Sequence, residues 1–517
     1  MKRFLRFLKR NWPIFAVITI GIVLRTVNLE RLFYFTYDES IPAFVGRRLI
    51  VWHHLPLIGG ATPFGFHLAP YFYWLYTVLL ATGKLNPLVW GIFSALFAGI
   101  TIWLSIKIGS ELGSKKTAIT AGILWAFSEL ANIYDRHLWA LYWGPFFALL
   151  TIYSLIKIKQ GKKKWSLILA AALALSIHAD PSNLVFMGTV FWCFILFKIP
   201  DKAKNFLIIG AFTLISISPL IYFDLRHDFA NSRPVANFIK QGKNTPGFSQ
   251  HKFNDNLLIF PRAYSRLVYK FGDNQISKDY SYCKNLIVER NDAVPIYFII
   301  ASLLVIGAFF IVSFRKRSPL VFKITSLTLI LYFLGIQLYG TILKADIFEH
   351  YIAGTFPIFL LMVAYFVSKL PKPVWFVALL IFTCANLNKI EILDSSMGLL
   401  QKRLAIEYSM TKVGNQEFSL DSLSTCWKYS GYRYLYIVYG REPVKSYVDP
   451  NFAYLYETTP VSQEHPKLVV AMVVHDYLPE TDDFYKRYAL LKAHEINSKL
   501  FGTIEVIIID NSTGWFY

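Results

Sequence analysis

The chain has 517 residues, of which 55% are hydrophobic, 17% aromatic and 17% charged. A soluble domain carries about 25% charged residues, so this composition excludes an ordinary water-soluble protein. The formal net charge of +20 would by itself suggest a nucleic-acid partner. The positions of the basic residues decide between nucleic acid and membrane.

The basic residues cluster in short segments between long apolar runs, at 2–10, 107–116, 157–164, 198–204, 315–317 and 369–373. Lysine-rich short loops mark the cytoplasmic side of a membrane protein. Other connecting segments, such as 134–137 and 178–183, contain almost no Lys or Arg. The pattern therefore predicts a multi-pass protein of the plasma membrane, in contact with lipid and not with nucleic acid.

Apolar runs that approach the roughly 20 residues needed to cross a bilayer predict about eleven transmembrane helices. They lie at 12–28, 86–106, 117–134, 138–156, 165–178, 183–199, 205–223, 294–314, 319–343, 351–369 and 373–388. The N-terminus is then cytoplasmic, with the first run a retained signal anchor, and the C-terminus is extracytoplasmic. A further apolar run at 68–83 would invert every later loop, so it is interpreted as a juxtamembrane helix in the first outer loop.

The sequence predicts two domains. Residues 1–388 form a transmembrane domain with outer loops at 29–85 and 224–292, and residues 389–517 form a small extracytoplasmic α/β domain. In the latter, "YSGYRYLYIVYG" is helix-like, whereas "PKLVVAMVVHD" and "TIEVIIID" are typical of buried strands. The four cysteines lack the spacing of a metal site. Two of them, Cys283 and Cys426, fall outside the membrane and are candidates for one disulfide.

Ionisable residues gather at the span ends that this topology assigns to the outer face. They include the adjacent carboxylates in "TYDESIP", the loops "YDRH" and "HADPSN", and the segments "DLRHDF" and "EHY". Each has a structural interpretation as well: Asp and Glu at a helix start bind free N–H groups, and Thr36 with Glu39 has the spacing of a capping box. Because Pro42 fits poorly beyond the first turn, a helix start at Glu39 or Ser40 is favoured.

Transfer from a lipid phosphate requires this combination of side chains at the outer rim of a membrane bundle. Arg, His or Lys stabilises the leaving phosphate at headgroup depth. A carboxylate takes the proton of the acceptor hydroxyl, which contributes about 10²–10⁴-fold to the rate. Outside the cell no pool of nucleotide sugars exists, so the donor must already be linked to a lipid.

The segment "IVLRTVNLERLFYFTYDESIPAFVGRRL", with Arg25 ahead of the Asp-Glu pair, resembles the start of GT-C glycosyltransferases. The most similar groups are the protein O-mannosyltransferases and the lipid A aminoarabinose transferases. Shorter motifs such as "SELANIYDRHLW" and "EHYIAGTFPIFLLM" extend the resemblance from residue 12 to residue 390. It implies that Asp38 is the base acting on the acceptor and Glu39 its support, with Asp135 and Arg136 in a second polar loop beside the site.

The resemblance also implies that His350 and Tyr351 line the site of the donor phosphate. Arg226 and His227 are assigned to substrate binding from their position and chemistry, and His178 from its place at a span end. The sequence leaves open whether a divalent metal joins the carboxylates.

The sequence thus predicts an inverting glycosyltransferase that moves a sugar from a polyprenyl-phosphate donor to a glycan, lipid or protein acceptor. No segment resembles "WWDYG", which argues against an oligosaccharyltransferase. Two other classes remain open: a lipid or polysaccharide flippase, which should carry ionisable or helix-breaking positions near mid-span, and a non-catalytic membrane scaffold that presents the outer domain.

Overall fold

The structure is a computed structural model that describes residues 2–516 except 63–64, 242–246, 272–293, 344, 346, 391–397, 425–430, 456–465, 476–481 and 515. The predicted pairing of Cys283 with Cys426 lies outside the described residues.

Helices dominate the described part of the chain. They are α1 (Lys2–Thr26), α2 (Leu29–Leu32), α3 (Tyr37–Trp52), α4 (Tyr71–Thr82), α5 (Leu88–Leu112), α6 (Lys115–Phe127), α7 (Glu129–Arg136), α8 (Gly144–Lys159), α9 (Trp165–Ala179), α10 (Leu184–Leu196), α11 (Lys202–Arg226), α12 (Ser232–Gln241), α13 (Gln250–Val268), α14 (Ile296–Ser313), α15 (Leu320–Ile336), α16 (Phe356–Val367), α17 (Lys372–Leu387), α18 (Leu399–Val413), α19 (Tyr432–Tyr439), α20 (Asp449–Phe452) and α21 (Asp482–Ala493).

The predicted spans overlap helices of the structure, and the span at 117–134 covers two of them. Short 3₁₀ or π-helical turns adjoin α8, α15 and α16 at Ala140–Trp143, Gln337–Ile342 and Glu349–Thr355. With these turns included, six helical segments among the described residues are long and apolar enough to cross a membrane: 88–112, 140–159, 202–226, 296–313, 320–342 and 349–367. Four shorter apolar helices lie at 11–26, 165–179, 181–196 and 372–387. The chain is therefore a multi-pass membrane protein, as predicted.

The predicted span 117–134 is divided in two. α6 ends at Phe127, and Ser128 begins α7 by accepting a hydrogen bond from the backbone N–H of Ala131 through its side chain. A serine side chain competes with the helical backbone for such donors, which makes it a frequent start of a new helix. The break places α7 and the loop after it at one end of the bundle.

The apolar run predicted as a juxtamembrane helix forms α4, which packs along α3. Gly46 of α3 allows the two helices to approach, since a Cβ atom there would lie 3.2 Å from Thr77 Oγ1 and 3.1 Å from a methyl group of Leu80. The segment that was predicted as the first outer loop thus contains a helical hairpin. Its first helix carries the two carboxylates, Asp38 and Glu39.

Near the C-terminus a five-stranded sheet forms. Its strands are β1 (Phe418–Leu423), β2 (Lys445–Ser446), β3 (Leu468–Val474), β4 (Glu495–Phe501) and β5 (Ile504–Asp510), in the order β2-β1-β3-β5-β4. β1 pairs in parallel with β2 and β3, whereas β5 pairs antiparallel with β3 and β4. The predicted strands within 466–476 and 503–510 and the predicted helix within 429–440 are present as β3, β5 and α19. β1 and β4, which are more polar, were not predicted.

The two faces of this sheet belong to different hydrophobic clusters. Val469, Ala471 and Val473 of β3 pack with α21. The alternate residues Val470 and Met472 point to the opposite face, as the period of two in a strand requires, and join a cluster that continues into the membrane bundle. Because one apolar core runs through both regions, the sheet packs directly on the bundle.

We expect the orientation deduced from the lysine-rich loops to be measurable by cysteine labelling of intact cells. In a background without native cysteines, Lys412→Cys on the exposed end of α18 should react with an impermeant maleimide. Lys162→Cys, in the exposed turn between α8 and α9, should react only after permeabilisation. Labelling of position 162 in intact cells would contradict the predicted orientation and favour the opposite one.

Candidate active site

The helix that carries the two carboxylates begins earlier than predicted. Thr36 is its N-cap, Tyr37 its first residue, and the backbone N–H of Thr36 donates to the Glu39 carboxylate at 2.9 Å. The predicted start at Glu39 or Ser40 was wrong, and the capping box is present. Pro42 lies inside the helix, where its missing N–H leaves the carbonyl of Asp38 without a helical donor. The cap and the packing of the flanking residues outweigh that loss.

Asp38 is accessible to solvent although protein surrounds it on most sides. Desolvation, and then the negative charge of Glu39, raise the pKa of Asp38 to about 7. The carboxylate also acts electrostatically on the phenol of Tyr73 in α4. Within the described ranges, the Asp38 carboxylate has neither an ion-pair partner nor a hydrogen bond. An accessible, unpaired carboxylate with a raised pKa is suited to take up a proton.

Glu39 points the other way, into the protein. Its side chain is buried, accepts from the backbone and hydroxyl of Thr36, and is close enough to act electrostatically on Tyr76 and His137. The two adjacent carboxylates therefore differ in environment: Asp38 is exposed to solvent, whereas Glu39 is buried in the protein.

His137 links the carboxylates to the loop after α7. Its Nδ1 lies 2.9 Å from the carbonyl of Ile133, and a carbonyl only accepts, so Nδ1 carries the proton and Nε2 is the basic nitrogen of the neutral ring. Burial lowers the pKa of the His137 ring, and the Glu39 carboxylate opposes that effect. The ring stacks against Phe33 and Tyr34, at centroid distances of 6.0 and 5.6 Å.

A series of aromatic contacts connects this loop to His350. The ring of Tyr142 lies 6.1 Å from that of His137 and 4.9 Å from that of Trp139, which in turn lies 5.2 Å from His350. His350 is 7% exposed, and its buried Nδ1 has no hydrogen-bond partner among the described residues. Tyr351 contacts the same ring at 4.6 Å and is only half-buried. The predicted pair His350-Tyr351 is therefore joined to the same end of the bundle as the carboxylates.

A buried ion pair supports this second loop. Arg266 of α13 donates to Glu349 at 2.7 Å, with both side chains 3% exposed, and the hydroxyl of Tyr134 lies 3.5 Å from the other carboxylate oxygen. Sequence analysis missed Arg266, because α13 belongs to a segment that was interpreted as a polar outer loop. Its apolar face, rather than its charge, was the signal that the helix enters the bundle.

Asp135 and Arg136 are engaged inside the protein. Asp135 accepts from the guanidinium of Arg25 at 2.7–2.8 Å and from the indole of Trp125 at 3.0 Å, while Arg136 donates to the carbonyl of Leu24 at 3.1 Å. Arg25 is fully buried and also donates to the carbonyl of Ala126. These contacts fix α7 to α1 and hold the His137 loop in place.

His178 is likewise engaged within the bundle. It is 5% exposed; its Nδ1 accepts from the backbone N–H of Ala69 at 3.3 Å, which leaves Nε2 as the donor to Ser216 Oγ at 3.1 Å. The ring thereby connects α9 and α11 to the segment that precedes α4.

Arg226 and His227 lie at the end of α11 with exposed side chains. Arg226 contacts Tyr222, four residues earlier on its own helix, and His227 stacks on Phe223 at 4.2 Å. The structure does not bring either of them into contact with Asp38 or His350. Their predicted role in substrate binding stays a prediction.

The described residues contain no group of three or more His, Cys, Asp or Glu side chains placed to hold one metal ion. Asp38 and Glu39 point in different directions.

We expect Arg25→Met to destabilise the protein by about 3–5 kcal/mol, because it leaves the Asp135 carboxylate inside the bundle without its counter-charge. Adding Asp135→Asn should recover most of that loss, since Asn can still accept from Trp125. Thermal unfolding in detergent measures both effects, and the exposed Arg31, changed to Met, is the control and should shift stability by less than about 0.5 kcal/mol. An equal loss in the single and double variants would show that the pair is not the cause.

A search with protein-family models and a search of curated protein sequences gave no match. Among solved structures, the chain is similar to the Archaeoglobus fulgidus oligosaccharyltransferase in complex with zinc and sulfate, with TM-score 0.47 and 13% identity over 89% of this chain and 68% of that chain. The archaeal oligosaccharyltransferase AglB from Archaeoglobus fulgidus, in complex with an inhibitory peptide and a dolichol-phosphate, gives TM-score 0.47 and 12% identity over 90% of this chain and 70% of that chain.

Similarity also extends to ArnT from Cupriavidus metallidurans bound to undecaprenyl phosphate, with TM-score 0.42 and 10% identity over 96% of this chain and 98% of that chain. AglB and ArnT are glycosyltransferases of the GT-C superfamily, the superfamily that the sequence motifs resemble. At identities of 10–13% and TM-scores of 0.42–0.47, neither activity nor substrate is transferred from them to this chain.

Proposed function

We propose that this protein is an inverting glycosyltransferase of the plasma membrane that takes a sugar from a polyprenyl phosphate and places it on an acceptor hydroxyl. Its eleven helical spans would hold the site at the extracytoplasmic face, with residues 1–388 as the catalytic domain and 389–517 as an outer α/β domain. The acceptor would be a glycan, a lipid or a protein.

One observation carries the proposal: Asp38 is an accessible carboxylate beside the membrane bundle, and it has no ion-pair partner among the described residues. A carboxylate with a pKa of about 7 is partly ionised at neutral pH and still basic enough to accept a proton in the transition state. In a structural role it would be expected to pair with a cation or cap a helix, as Glu39 does.

In the proposed reaction the acceptor O–H proton passes to an Asp38 carboxylate oxygen as the acceptor oxygen forms a bond to the anomeric carbon. The bond from that carbon to the phosphate oxygen breaks at the same time, on the opposite side. Its electron pair leaves with the polyprenyl phosphate, and the configuration at the sugar carbon inverts. Glu39 would hold the first turn of α3 through its cap and keep the Asp38 oxygens aimed at the acceptor.

The donor phosphate would be held by His350, with Tyr351 beside it and with Arg226 and His227 as further contacts. The buried, unpartnered Nδ1 of His350 supports the assignment, because a buried polar atom normally has a hydrogen-bond partner, and a bound ligand supplies one. The assignment of Arg226 to the phosphate site rests only on its position at the end of α11 and on its exposed guanidinium group.

The predicted role in substrate binding would be indirect for three residues, which fix the loops around the site: Asp135, Arg136 and His178. Their polar atoms are engaged with Arg25, Leu24 and Ser216 respectively, so we propose that they shape the site.

We expect Asp38→Asn to lower turnover by about 10²-fold or more, the range for removing a general base. Its stability should barely change, because Asn keeps the size and Glu39 keeps the cap. The assay is release of polyprenyl phosphate from a panel of radiolabelled polyprenyl-phosphate sugars in liposomes, with a melting curve for each variant. In the parent protein, kcat/KM should rise with pH through about 7 as Asp38 ionises.

Glu39→Gln is the matched comparison. It weakens the charge-assisted bonds to Thr36, so we expect a loss of stability of about 1 kcal/mol with a smaller loss of turnover. A normal turnover of Asp38→Asn would contradict the proposal. Absence of sugar transfer from every donor by the parent protein would instead favour a transporter or a scaffold.

We expect His350→Ala and Arg226→Ala each to weaken binding of undecaprenyl phosphate by about 10-fold, the value of one charge-assisted hydrogen bond. His350→Phe preserves the ring contacts with Trp139 and Phe348 and should lose affinity in the same way, which separates the nitrogen from packing. His251→Ala, at an exposed histidine paired with Asp255, and Arg317→Ala, in a predicted cytoplasmic loop, are the controls. Unchanged binding in His350→Phe would remove His350 from the phosphate site.

A further inference from the structure

The segment that leads into the carboxylate helix is held by the C-terminal region of the chain. The ammonium group of Lys402, in α18, donates to the backbone carbonyl of Phe35 at 2.7 Å. Lys402 is 1% exposed and Phe35 is fully buried. The bond joins residues 367 positions apart, and its acceptor lies one residue before the N-cap Thr36.

Backbone contacts at two glycines bring α18 and α19 against the same segment. The N–H of Leu399 donates to the carbonyl of Phe33 at 3.0 Å, and a Cβ atom on the preceding Gly398 would overlap the carbonyl oxygen of Arg31. Gly431 has φ of +75°, and a Cβ atom there would lie 2.8 Å from the ring of Phe35. Only glycine fits at such close approaches, so residues 31–36 are clamped along their length.

Side chains extend the same interface on both sides of the segment. The ring of Tyr434, in α19, lies 5.6 Å from Phe35 and 5.3 Å from Phe44 of α3, and its hydroxyl donates to the carbonyl of Leu85 at 2.9 Å. Further along α3, Arg47 pairs with Glu442 at 3.3 Å. The carboxylate helix is therefore fixed at its start and along its length by residues beyond 398.

Burying an ammonium group costs free energy, because its charge loses the hydration of bulk water. An apolar side chain of similar length at the same position would avoid that cost. A charge-assisted bond to a backbone carbonyl recovers part of that cost and fixes the carbonyl in direction as well as distance. Such an anchor matters most where a small displacement changes reactivity, since a shift of about 1 Å in a reacting group can cost about 10²-fold in rate.

We propose that Lys402 is a positioning residue for the glycosyl transfer, acting through the Phe35 carbonyl and the Thr36–Glu39 cap to set the direction of the Asp38 carboxylate. The C-terminal region is then a part of the catalytic centre and does not only present an acceptor. The inference rests on the function proposed above, with Asp38 as the base.

The test compares Lys402→Met, which keeps the length of the side chain but not the charge, with Lys402→Arg, which keeps a donor. Lys412→Met, at an exposed lysine of the same helix that packs on a tyrosine ring, is the matched control. Three quantities are measured on the full-length protein: amide hydrogen exchange of residues 34–42, kcat for release of polyprenyl phosphate from the labelled donor, and binding of undecaprenyl phosphate. Turnover is also measured for Lys402→Met combined with Asp38→Asn.

We expect Lys402→Met to speed exchange in residues 34–42 by at least about 10-fold and to lower kcat by a similar factor. Undecaprenyl phosphate should bind within about two-fold of the parent. Lys402→Arg should recover most of kcat, and Lys412→Met should match the parent. In the Asp38→Asn background the further loss from Lys402→Met should nearly vanish, because both changes remove the same contribution.

Unchanged exchange in Lys402→Met would overturn the inference, as would faster exchange with parental kcat or an undiminished loss in the Asp38→Asn background. A parent protein that transfers sugar from no donor would refute the proposed function and, with it, the catalytic part of this inference. Hydrogen exchange would still decide whether Lys402 holds the start of α3, so the two failures are distinguishable.

Discussion

The cost of burying charge organises the end of the bundle where the candidate site lies. An ion inside a protein loses several kcal/mol of hydration, and it remains there only with a partner of good geometry. Arg25 meets Asp135, Arg266 meets Glu349, and Lys270 approaches Glu129 at 3.4 Å. Each pair joins elements far apart in the sequence, so the pairs place α1, α7, α13 and the loop before α16 relative to one another.

Asp38 differs from these paired charges, because its carboxylate has no ion-pair partner among the described residues. Glu39 accepts from Thr36 in the cap of α3, whereas the carboxylate of Asp38 is exposed and remains unpaired within the described part of the chain. The same desolvation that forces the other charges into pairs raises the pKa of Asp38. This difference between Asp38 and the paired charges is the observation on which its proposed role as general base rests.

The α/β region is tied to this arrangement by more than a linker. Its sheet shares an apolar core with the bundle, and its helices α18 and α19 contact residues 31–36 through Lys402, Gly398 and Gly431. Because these contacts hold residues 31–36, the position of the start of α3 depends on the folding of the C-terminal region. The predicted division at residue 388 therefore describes a change in composition, while the shared core and the contacts with residues 31–36 make the two parts depend on each other.

The sequence by itself determined the features that depend on local pattern: the hydrophobic runs located the spans, the lysines suggested their direction, and Thr36 with Glu39 had the spacing of a cap. It also singled out the pair Asp38-Glu39, because adjacent carboxylates after a span are a local feature, and the family resemblance implied that Asp38 is the base. Only the tertiary structure decided which of the two carboxylates is unpaired among the described residues. It also decided that Asp135 pairs with Arg25, that Arg266 pairs with Glu349 inside the bundle, and that Lys402 donates to the carbonyl of Phe35. These three pairings join residues that are 83–367 positions apart. Partners over such separations are selected by the packing of the whole chain and by the free-energy cost of an unpaired buried charge. A local sequence pattern contains neither kind of information.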